Sequence, residues 1–406
     1  MRILVIAPGW PSLANPAKGI FVQEQVRALA RQHQVIVLAQ ESGTWRERLR
    51  EPLRFAVEHF LDDGVPVYRT RSTLPPQRPG ALVRRVTQRR SSSGFRALVC
   101  ANLRRLGDLA DRVLDRAVAE HGPPDVIHAH FALPSGWTGV RLSRRAGVPL
   151  VITEHQAPSP AYIGDRLQRR LVRESLNAAG IVLCAGPALA EWMRGFHADL
   201  RPRVVGNIVD TGFFAFVPQR QRAADELRLA TVALLTPDKG VADLIDAVAL
   251  LIARGRSVRL EVVGDGPARA ALERLAAQRG VANRCTFRGI LARGGVRDAL
   301  AACDVFVLAS LHETFGVAVA EAIAAGRPVV ATRCGGPEYF VGPEAGLLVQ
   351  PGRPEELAEA IEAIASGEHA TDPSRARAAL DARFGPAAYL EQLESAYRDA
   401  RTGGKS

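Results

Sequence analysis

The chain has 406 residues, and 47 % of them are hydrophobic, which is enough for two or three domains with cores of their own. No apolar run reaches the ~18 residues that cross a bilayer, and the first residues, Met1-Arg-Ile-Leu-Val-Ile-Ala-Pro, predict a buried strand because the run is too short for a signal peptide. The five cysteines are scattered without a Cys-x-x-Cys pair, which disfavours a structural zinc site and predicts a reducing, cytoplasmic location.

The net charge of +11 is distributed unevenly along the sequence. Between Arg69 and Arg116 there are twelve arginines and three aspartates. This composition is typical of a surface that contacts an anionic membrane, but an Arg-rich surface that only faces water has the same composition. No aromatic interleaving suited to base stacking accompanies the arginines, so we expect no nucleic acid partner. We therefore predict peripheral contact with the inner face of a membrane, with a solvated surface as the alternative.

Lysine is rare and for that reason informative. Only Lys18, Lys239 and Lys405 occur among the 53 basic residues. In a chain that otherwise uses arginine, a lysine marks a position where a compact charge is favoured. Lys18 and Lys239 each precede a glycine that is placed to open a helix.

The first half of the chain alternates strands and helices, which indicates a parallel sheet covered on both faces. The predicted strands are residues 3–7, 34–39, 55–60, 65–68, 125–130, 149–153 and 180–185. The predicted helices are residues 20–31, 81–90, 95–120, 137–145, 166–177 and 187–195. A loop rich in proline and glycine, residues 8–19, follows the first strand, where doubly wound folds commonly bind ligands.

A second alternating series follows a pause at residues 201–216 and a polar stretch that reaches residue 228. Its predicted strands are residues 229–235, 258–263, 285–287, 304–309, 328–332 and 347–349. Six helices are predicted in this series. The first starts after residue 239, the second ends at residue 279, the third and fourth cover 296–302 and 317–325, the fifth starts at residue 354, and the last covers 387–400. We therefore predict an α/β protein with domains at 1–202 and 203–385 and a last segment, 386–406, that holds the final helix. Two doubly wound units leave a cleft, which is a usual place for a ligand.

Two glutamates flank a predicted anion site in the second series. Glu313 follows a buried strand, and Glu321 lies about one turn into the helix that comes next. Thr314, Phe315 and Gly316 lie at the helix N-terminus, where free backbone N–H groups favour an anion. Carboxylates accept hydrogen bonds from paired hydroxyls, so the pattern fits a nucleotide sugar. Glutamate at the start of a surface helix is also common, and that is the alternative.

The order and spacing of several short motifs give this chain a resemblance to the retaining glycosyltransferases of family 4 over nearly its whole length. The motifs are Lys18-Gly19, Asp125-Val-Ile-His-Ala-His, Thr153-Glu-His, Asn207-Ile-Val-Asp, Lys239-Gly, Val263-Gly-Asp-Gly-Pro, Phe287-Arg-Gly, Glu313-x₇-Glu321 and Gly335-Gly-Pro-Glu. The resemblance implies the GT-B architecture, with two Rossmann-like domains that face a central cleft. It also implies that the N-terminal domain binds the acceptor, that the C-terminal domain binds the nucleotide sugar, and that the last helix crosses back onto the first domain.

The resemblance also implies roles for single residues. Glu321 would hold the ribose hydroxyls, and Glu313 the hydroxyls of the donor sugar. The backbone of Thr314, Phe315 and Gly316 would lie near the sugar and phosphates. Lys239 would neutralise the leaving diphosphate. The remaining donor-site positions are Gly19, which would let its loop approach the diphosphate, Gly266 in the Gly-Asp-Gly-Pro loop, and Arg288 at the start of the segment that lines the base.

His130, with His128 as the alternative, would contact the transferred sugar near its reacting carbon. Both residues lie on one predicted strand and point to the same face. A metal bound by this pair would need a third ligand, and only His155 offers one. The sequence contains no Asp-x-Asp motif of the kind that holds a divalent metal in other glycosyltransferases. We therefore expect no metal and no cofactor, with protein groups stabilising the leaving charge.

One position departs from the family pattern. Family members often have arginine five residues before the lysine of the Lys-Gly pair, and here that position is Leu234. Arg288 and Arg333 are candidate substitutes for the missing charge. We expect transfer of a sugar to a glycan or lipid-linked acceptor. The alternatives are a nucleotide-sugar 2-epimerase and a nucleotide-sugar-binding protein without activity.

Overall fold

The computed structural model divides the chain into two compact units. It describes residues 1–12, 18–42, 57–72, 93–155, 166–218 and 226–403. The first unit contains residues 1–185, 189–205 and 390–406, and the second contains 186–188 and 206–389. Apart from residues 186–188, the chain thus passes from one unit to the other between Val205 and Gly206 and returns after Tyr389.

The first unit is built on an eight-stranded sheet. Its strands are β1 (Arg2–Ala7), β2 (Gln34–Ser42), β3 (Val57–Asp62), β4 (Val65–Ser72), β5 (Val126–His130), β6 (Leu150–Glu154), β7 (Ile181–Cys184) and β8 (Arg203–Val204). They are ordered β3-β4-β2-β1-β5-β6-β7-β8, and every neighbouring pair is parallel except β3 with β4. All residues of β5, β6 and β7 are buried, as expected of central strands covered on both faces. The predicted strands are confirmed, although residues 55 and 56 of the strand predicted at 55–60 lie outside the described residues.

Among the described residues up to Val205, five α-helices accompany this sheet. They are α1 (Ile20–Leu29), α2 (Ser93–His121), α3 (Trp137–Ala146), α4 (Arg166–Ala178) and α5 (Pro187–Phe196). The predicted helix at 81–90 lies outside the described residues. Three acidic residues of α2, Asp108, Asp111 and Asp115, form ion pairs with Arg141 and Arg145 of α3. Their charge therefore holds two helices together.

The second unit contains a six-stranded, wholly parallel sheet. Its strands are β9 (Leu227–Val232), β10 (Val258–Val263), β11 (Cys285–Gly289), β12 (Val305–Leu308), β13 (Val329–Thr332) and β14 (Gly346–Val349), ordered β11-β10-β9-β12-β13-β14. Its helices are α6 (Val241–Ala253), α7 (Arg269–Gln278), α8 (Arg293–Ala302), α9 (Val317–Ala324), α10 (Pro354–Ser366) and α11 (Pro373–Phe384). Aliphatic residues of β9, β10 and β12 pack against α6 and α10 to form the core.

Helix α11 is absent from the sequence-based prediction. It buries only Ala376, Leu380 and Phe384, so its apolar stripe is too narrow to stand out in the sequence. A start signal was present, because Pro373 occupies the first turn and the Asp372 carboxylate accepts the Arg375 N–H at 3.0 Å.

The last helix, α12 (Pro386–Arg401), contributes its later part to the first unit. Leu393, Ala396 and Tyr397 are fully buried. Polar contacts anchor it further, because Glu394 Oε1 lies 2.8 Å from His33 Nε2 and Asp399 accepts from Arg203 at 2.7 Å. This segment is therefore part of the core of the first unit.

Candidate active site

Lys239 and Glu313 meet at the carboxyl edge of the second sheet. Lys239 ends a single 3₁₀ turn, Pro237–Lys239, after β9, and Glu313 lies in the loop after β12. Strands β9 and β12 are neighbours, so the two loops leave the sheet side by side. The Leu311 N–H donates to the Asp238 carbonyl at 2.8 Å and joins the loops.

A charged hydrogen-bonded cluster results. Lys239 Nζ lies 2.7 Å from Glu313 Oε1, and the Ser310 hydroxyl donates to the same oxygen at 2.8 Å. Ser310 is fully buried, and its carbonyl accepts from the Thr332 hydroxyl at 2.5 Å. Lys239 and Glu313 remain partly exposed. The buried serine thus holds one carboxylate oxygen in place, while lysine and carboxylate stay within reach of a ligand.

The glycine after Lys239 is required by close packing. Gly240 has φ +60 and is the N-cap of α6. A Cβ added there would lie 1.9 Å from the Ala309 carbonyl oxygen. Only glycine fits both the left-handed conformation and this approach, so it fixes the position of Lys239 beside the loop after β12.

The N-terminus of α9 presents backbone rather than side chains. Gly316 is its N-cap with φ +88, and the Phe315 ring is buried at 4.9 Å from Phe340 and 5.1 Å from Phe384. Because Phe315 points into the core, the helix N-terminus offers an anion its backbone N–H groups. Glu321 lies one turn further on and is partly exposed.

Gly266 and Arg288 occupy other places along the same sheet edge. A Cβ on Gly266 would lie 2.4 Å from the Leu235 carbonyl oxygen, so packing between two loops is by itself a reason for this glycine. Arg288 lies on the edge strand β11, and its exposed guanidinium is 3.6 Å from Glu261. Neither contact brings these two residues to the Lys239–Glu313 cluster.

The position of the missing family arginine is exposed to solvent. Leu234 follows β9 with 62 % of its surface exposed. Arg333, one of the two candidate substitutes, is exposed, and its backbone N–H donates to the Val349 carbonyl. Lys239 is therefore the cation that the described residues of this unit bring to Glu313.

The first unit holds a buried histidine cluster at the carboxyl ends of β5 and β6. The rings of His128 and His130 lie 4.5 Å apart, which confirms that they share one face of β5. Both side chains are fully buried. Burial lowers the pKa of His128 to about 3 and, with the neighbouring histidines, lowers the pKa of His130 well below its usual value. Both rings are therefore neutral at pH 7.

The two histidines differ in their partners. His128 Nδ1 contacts the Tyr397 hydroxyl at 2.8 Å and the Gln25 amide nitrogen at 3.2 Å, and its Nε2 contacts the Thr153 hydroxyl at 2.7 Å. His130 Nδ1 lies 2.8 Å from His155 Nε2, whereas its own buried Nε2 has no partner among the described residues. An unsatisfied buried nitrogen is costly in a folded protein, so His130 is the better candidate to meet a ligand.

Gly19 ends the loop between β1 and α1. Strand β1 is the neighbour of β5, the strand that carries His128 and His130. It has φ +70, and a Cβ there would lie 2.5 Å from the Gly9 carbonyl oxygen. Packing within the loop thus requires a glycine. Lys18 lies 3.9 Å from Glu41.

Sequence reasoning overlooked Ser310 and gave His155 only the role of a third metal ligand. Ser310 stands three residues before Glu313 in the same loop of the second unit. Thr153-Glu-His ends the strand next to β5 in the first unit. In each case, closeness to a predicted site residue at the edge of its sheet could have indicated the residue. Within the described ranges, no group of three or more His, Cys, Asp or Glu side chains is arranged to hold a metal ion.

Comparison with known families agrees with this architecture. The glycosyltransferase family 4 model matches residues 19–213, and the model for glycosyl transferases group 1 matches residues 226–366. The chain is 32 % identical over 329 residues to a D-inositol 3-phosphate glycosyltransferase of Corynebacterium diphtheriae, covering 73 % of this chain and 75 % of that protein. The chain therefore belongs to the family 4 glycosyltransferases.

A further relative agrees with that assignment, and solved structures share the fold. A Bacillus subtilis protein, TuaC, whose name assigns it to teichuronic acid biosynthesis, is 29 % identical and is matched over 89 % of this chain and 88 % of its own. Sucrose-phosphate synthase from Thermosynechococcus elongatus has a TM-score of 0.74 at 22 % identity and covers 98 % of both chains. HepE from Anabaena, solved with UDP and glucose, has a TM-score of 0.72 at 23 % identity over 98 % of this chain and 100 % of its own. The predicted GT-B fold is confirmed.

Proposed function

We propose that this glycosyltransferase moves a sugar from a nucleoside-diphosphate sugar to a glycan or lipid-linked acceptor, with retention at the anomeric carbon and without a metal. The observation that carries the proposal is the cluster of Lys239, Glu313 and Ser310 beside the N-terminus of α9. It combines a fixed cation, a helix N-terminus and a hydroxyl-binding carboxylate, which are the groups that a sugar–diphosphate ligand needs.

The names of similar proteins support the substrate class. HepE was solved with UDP and with UDP-glucose, and TuaC is named for the biosynthesis of a cell-surface polymer. A uridine diphosphate sugar is therefore the first donor to test. The acceptor proposed here is a lipid-linked or cell-surface glycan precursor.

In the proposed reaction, the bond between the anomeric carbon and the diphosphate oxygen breaks, and the acceptor oxygen forms its bond on the same face of the sugar. The acceptor proton is transferred to a diphosphate oxygen. Negative charge grows on the leaving group, and Lys239 with the α9 N–H groups stabilises it. Glu321 holds the ribose hydroxyls, with backbone at Gly19, Gly266 and Arg288 near the phosphates and base.

Glu313 has two roles in this account. In the ligand-free protein its carboxylate neutralises Lys239. The hydroxyls of the donor sugar supply new hydrogen-bond donors to Glu313, and the lysine charge then becomes available to the diphosphate. His130 contacts the transferred sugar through Nε2, because both nitrogens of His128 already have protein partners.

The proposed location is the cytoplasmic face of the membrane. The Arg-rich stretch from Arg69 to Arg116 supports contact with anionic lipid, since Arg104, Arg105 and Arg112 are exposed on α2 and its aspartates pair with α3 instead. Within the described ranges, no helix has the length and apolar character to span a bilayer.

A screen for thermal stabilisation by nucleotide sugars tests the donor, because a ligand that binds only the folded state raises Tm. The best donor is then incubated with candidate acceptors, and the products are separated. Transfer supports the proposal. An epimerised donor identifies an epimerase, and stabilisation with no turnover of any kind identifies a binding protein, the rival that the exposed Leu234 favours.

A further inference from the structure

Two arginine-rich helices approach the same edge of the first sheet. Helix α2 leads from β4 to β5, and Arg2 at the start of β1 donates to the Pro123 carbonyl at 2.7 Å, just after α2 ends. Helix α4 leads from β6 to β7, and the Gly180 N–H after it donates to the Leu150 carbonyl at the start of β6. Both helices therefore end at the amino edge of the sheet, and their first halves lie towards the carboxyl edge, where β5 ends at His130.

An apolar cluster joins the first halves of these helices. Three buried leucines from α2 and α4 pack together with three partly exposed side chains from α4, the loop after β5 and the start of α3. The buried residues are Leu103, Leu106 and Leu171, and the partly exposed residues are Leu133, Trp137 and Leu167. We call the partly exposed three the apolar patch. It begins three residues after His130, so it lies on the sheet edge that holds the histidine cluster.

Positive charge accompanies the apolar patch on both helices. Residues 100–107 of α2 contain two arginines, residues 166–173 of α4 contain four, and neither stretch contains an acidic residue. Arg104 and Arg166 are exposed. Arg166 is also the first residue of α4, where a cation is unfavourable because the helix N-terminus already carries partial positive charge. The charge at this end of α4 therefore suits an anionic ligand better than it suits the helix.

A ligand with a long apolar chain and a diphosphate headgroup matches this combination. Arginine binds phosphate oxygens through paired N–H groups, and a partly exposed apolar surface gains free energy when an apolar chain covers it. A nucleotide sugar has the charge but no apolar chain. A bilayer contacts arginines wherever they are exposed, whereas here charge and apolar surface meet at one sheet edge. A single lipid molecule bound at this edge fits both features.

We propose that this edge of the first unit binds the lipid diphosphate part of the acceptor. The apolar chain lies on Leu133, Trp137 and Leu167, and Arg104 and Arg166 bind the phosphates. The use of this lipid as an acceptor rests on the function proposed above. Its binding requires neither donor nor turnover, so the two proposals can fail separately.

Titration calorimetry of the full chain with farnesyl diphosphate, in the absence of donor, tests the binding. We expect one site with an affinity about tenfold or more above that for inorganic diphosphate or farnesol, because each of these lacks one half of the ligand. Affinity should also fall from farnesyl to geranyl diphosphate, whose chain is shorter. Equal affinity for farnesyl and inorganic diphosphate would remove the apolar patch from the proposal, and no binding would mean that the arginines only face water.

Substitutions locate the ligand on the protein. Changing Arg104 and Arg166 together to glutamine should weaken farnesyl diphosphate binding by about tenfold, because charged hydrogen bonds are lost. Leu167→Gln should weaken binding of farnesyl diphosphate but not of inorganic diphosphate. The matched control changes Arg274 and Arg297, which are exposed on α7 and α8, to glutamine and should bind as the wild type does. Equal affinities of the two double variants would contradict the proposal.

The second unit needs its own control, because Lys239 is proposed to bind the donor diphosphate. Lys239→Ala should keep the wild-type affinity for farnesyl diphosphate. If Lys239→Ala loses this affinity while the Arg104 and Arg166 variant keeps it, farnesyl diphosphate binds at the donor site and the proposal is wrong. Farnesyl diphosphate bound at the two arginines in a protein that transfers no sugar would support this site and contradict the proposed function.

Discussion

At the scale of single residues, Lys239 supplies a charge that in family members often comes from a lysine together with an arginine. Because Leu234 is apolar and exposed, Lys239 should be the main side-chain cation on the leaving diphosphate. The charge grows as the bond breaks, so losing this contact should cost on the order of 10²–10³ in kcat. We expect Lys239→Ala to remain folded by circular dichroism with nearly abolished transfer.

Two further substitutions separate charge from geometry. Lys239→Arg should recover only part of the rate, because the guanidinium is broader and its donors are placed differently. Leu234→Arg should tighten nucleoside diphosphate binding in a titration if the site lacks charge. A folded Lys239→Ala variant with near-normal kcat would remove the lysine from the mechanism.

The two glutamates should respond differently to substitution. Glu321→Ala should raise the donor KM, because ribose contacts are equal in the ground and transition states. Glu313→Ala should lower kcat more, since the sugar it holds is the part that moves and since it also orients Lys239. Ser310→Ala removes one donor to Glu313 and should fall between Glu313→Ala and the wild type.

Steady-state kinetics of these variants provide the measurement. The control is Glu355→Ala, because Glu355 is an exposed residue of α10. Small and equal effects from Glu313→Ala and Glu321→Ala would indicate that both are ordinary surface-helix residues.

At the scale of elements, the buried histidines of β5 should lower the stability of the folded chain in acid. The folded-state pKa of His128, about 3, and that of His130 lie below the ordinary value near 6.5. Below pH 6.5 the unfolded chain therefore binds protons that the folded chain does not, and stability is lost as pH falls from there towards the folded pKa values. Each histidine should contribute about 1.4 kcal/mol per pH unit in that window.

Urea unfolding at several pH values between 7 and 5 checks this linkage. His128→Gln should have a shallower pH dependence than the wild type, although its stability at pH 7 should be lower because the Tyr397 and Thr153 contacts are lost. Identical slopes for wild type and His128→Gln would mean that His128 binds protons equally in the folded and unfolded chains, which would contradict the lowered pKa.

The elements of the site were predictable where the sequence contains a local signal. Apolar runs with helical stretches between them gave β9, β12 and α9, and hence placed Lys239 and Glu313 in loops. Gly240 and Gly316 stood out as glycines at helix starts. Contacts between loops carry no such signal, so the Lys239–Glu313 ion pair and the Ser310 hydrogen bond became visible only once β9 and β12 were adjacent. Tyr397, whose hydroxyl contacts His128, lies 269 residues further along the chain, so no local pattern connects the two.

The net charge of +11 bears, at the scale of the whole molecule, on where the enzyme works. Arg84, Arg85, Arg89 and Arg90 lie outside the described residues, so their membrane contact stays a prediction. Sedimentation with anionic vesicles should fall steeply as salt rises. It should also fall in the variant with all four arginines changed to glutamate.

A matched control for the vesicle experiment changes charge in the other unit. Arg274 and Arg297 are exposed on α7 and α8. Changing them to glutamate should affect sedimentation less than the same change at Arg84 and Arg85. Binding that does not depend on salt, or no binding at all, would indicate that the stretch is only a solvated surface.

We expect this enzyme to transfer the sugar with retention and to use protein groups in place of a metal. Proton NMR of the first product formed in the presence of EDTA tests this most directly. Where no acceptor is known, the sugar that the enzyme releases from the best donor by hydrolysis can be measured instead. We predict that the newly formed anomeric centre has the configuration of the donor and that the rate with EDTA equals the rate without it. An inverted first product, or activity that EDTA abolishes and Mn²⁺ restores, would contradict the account.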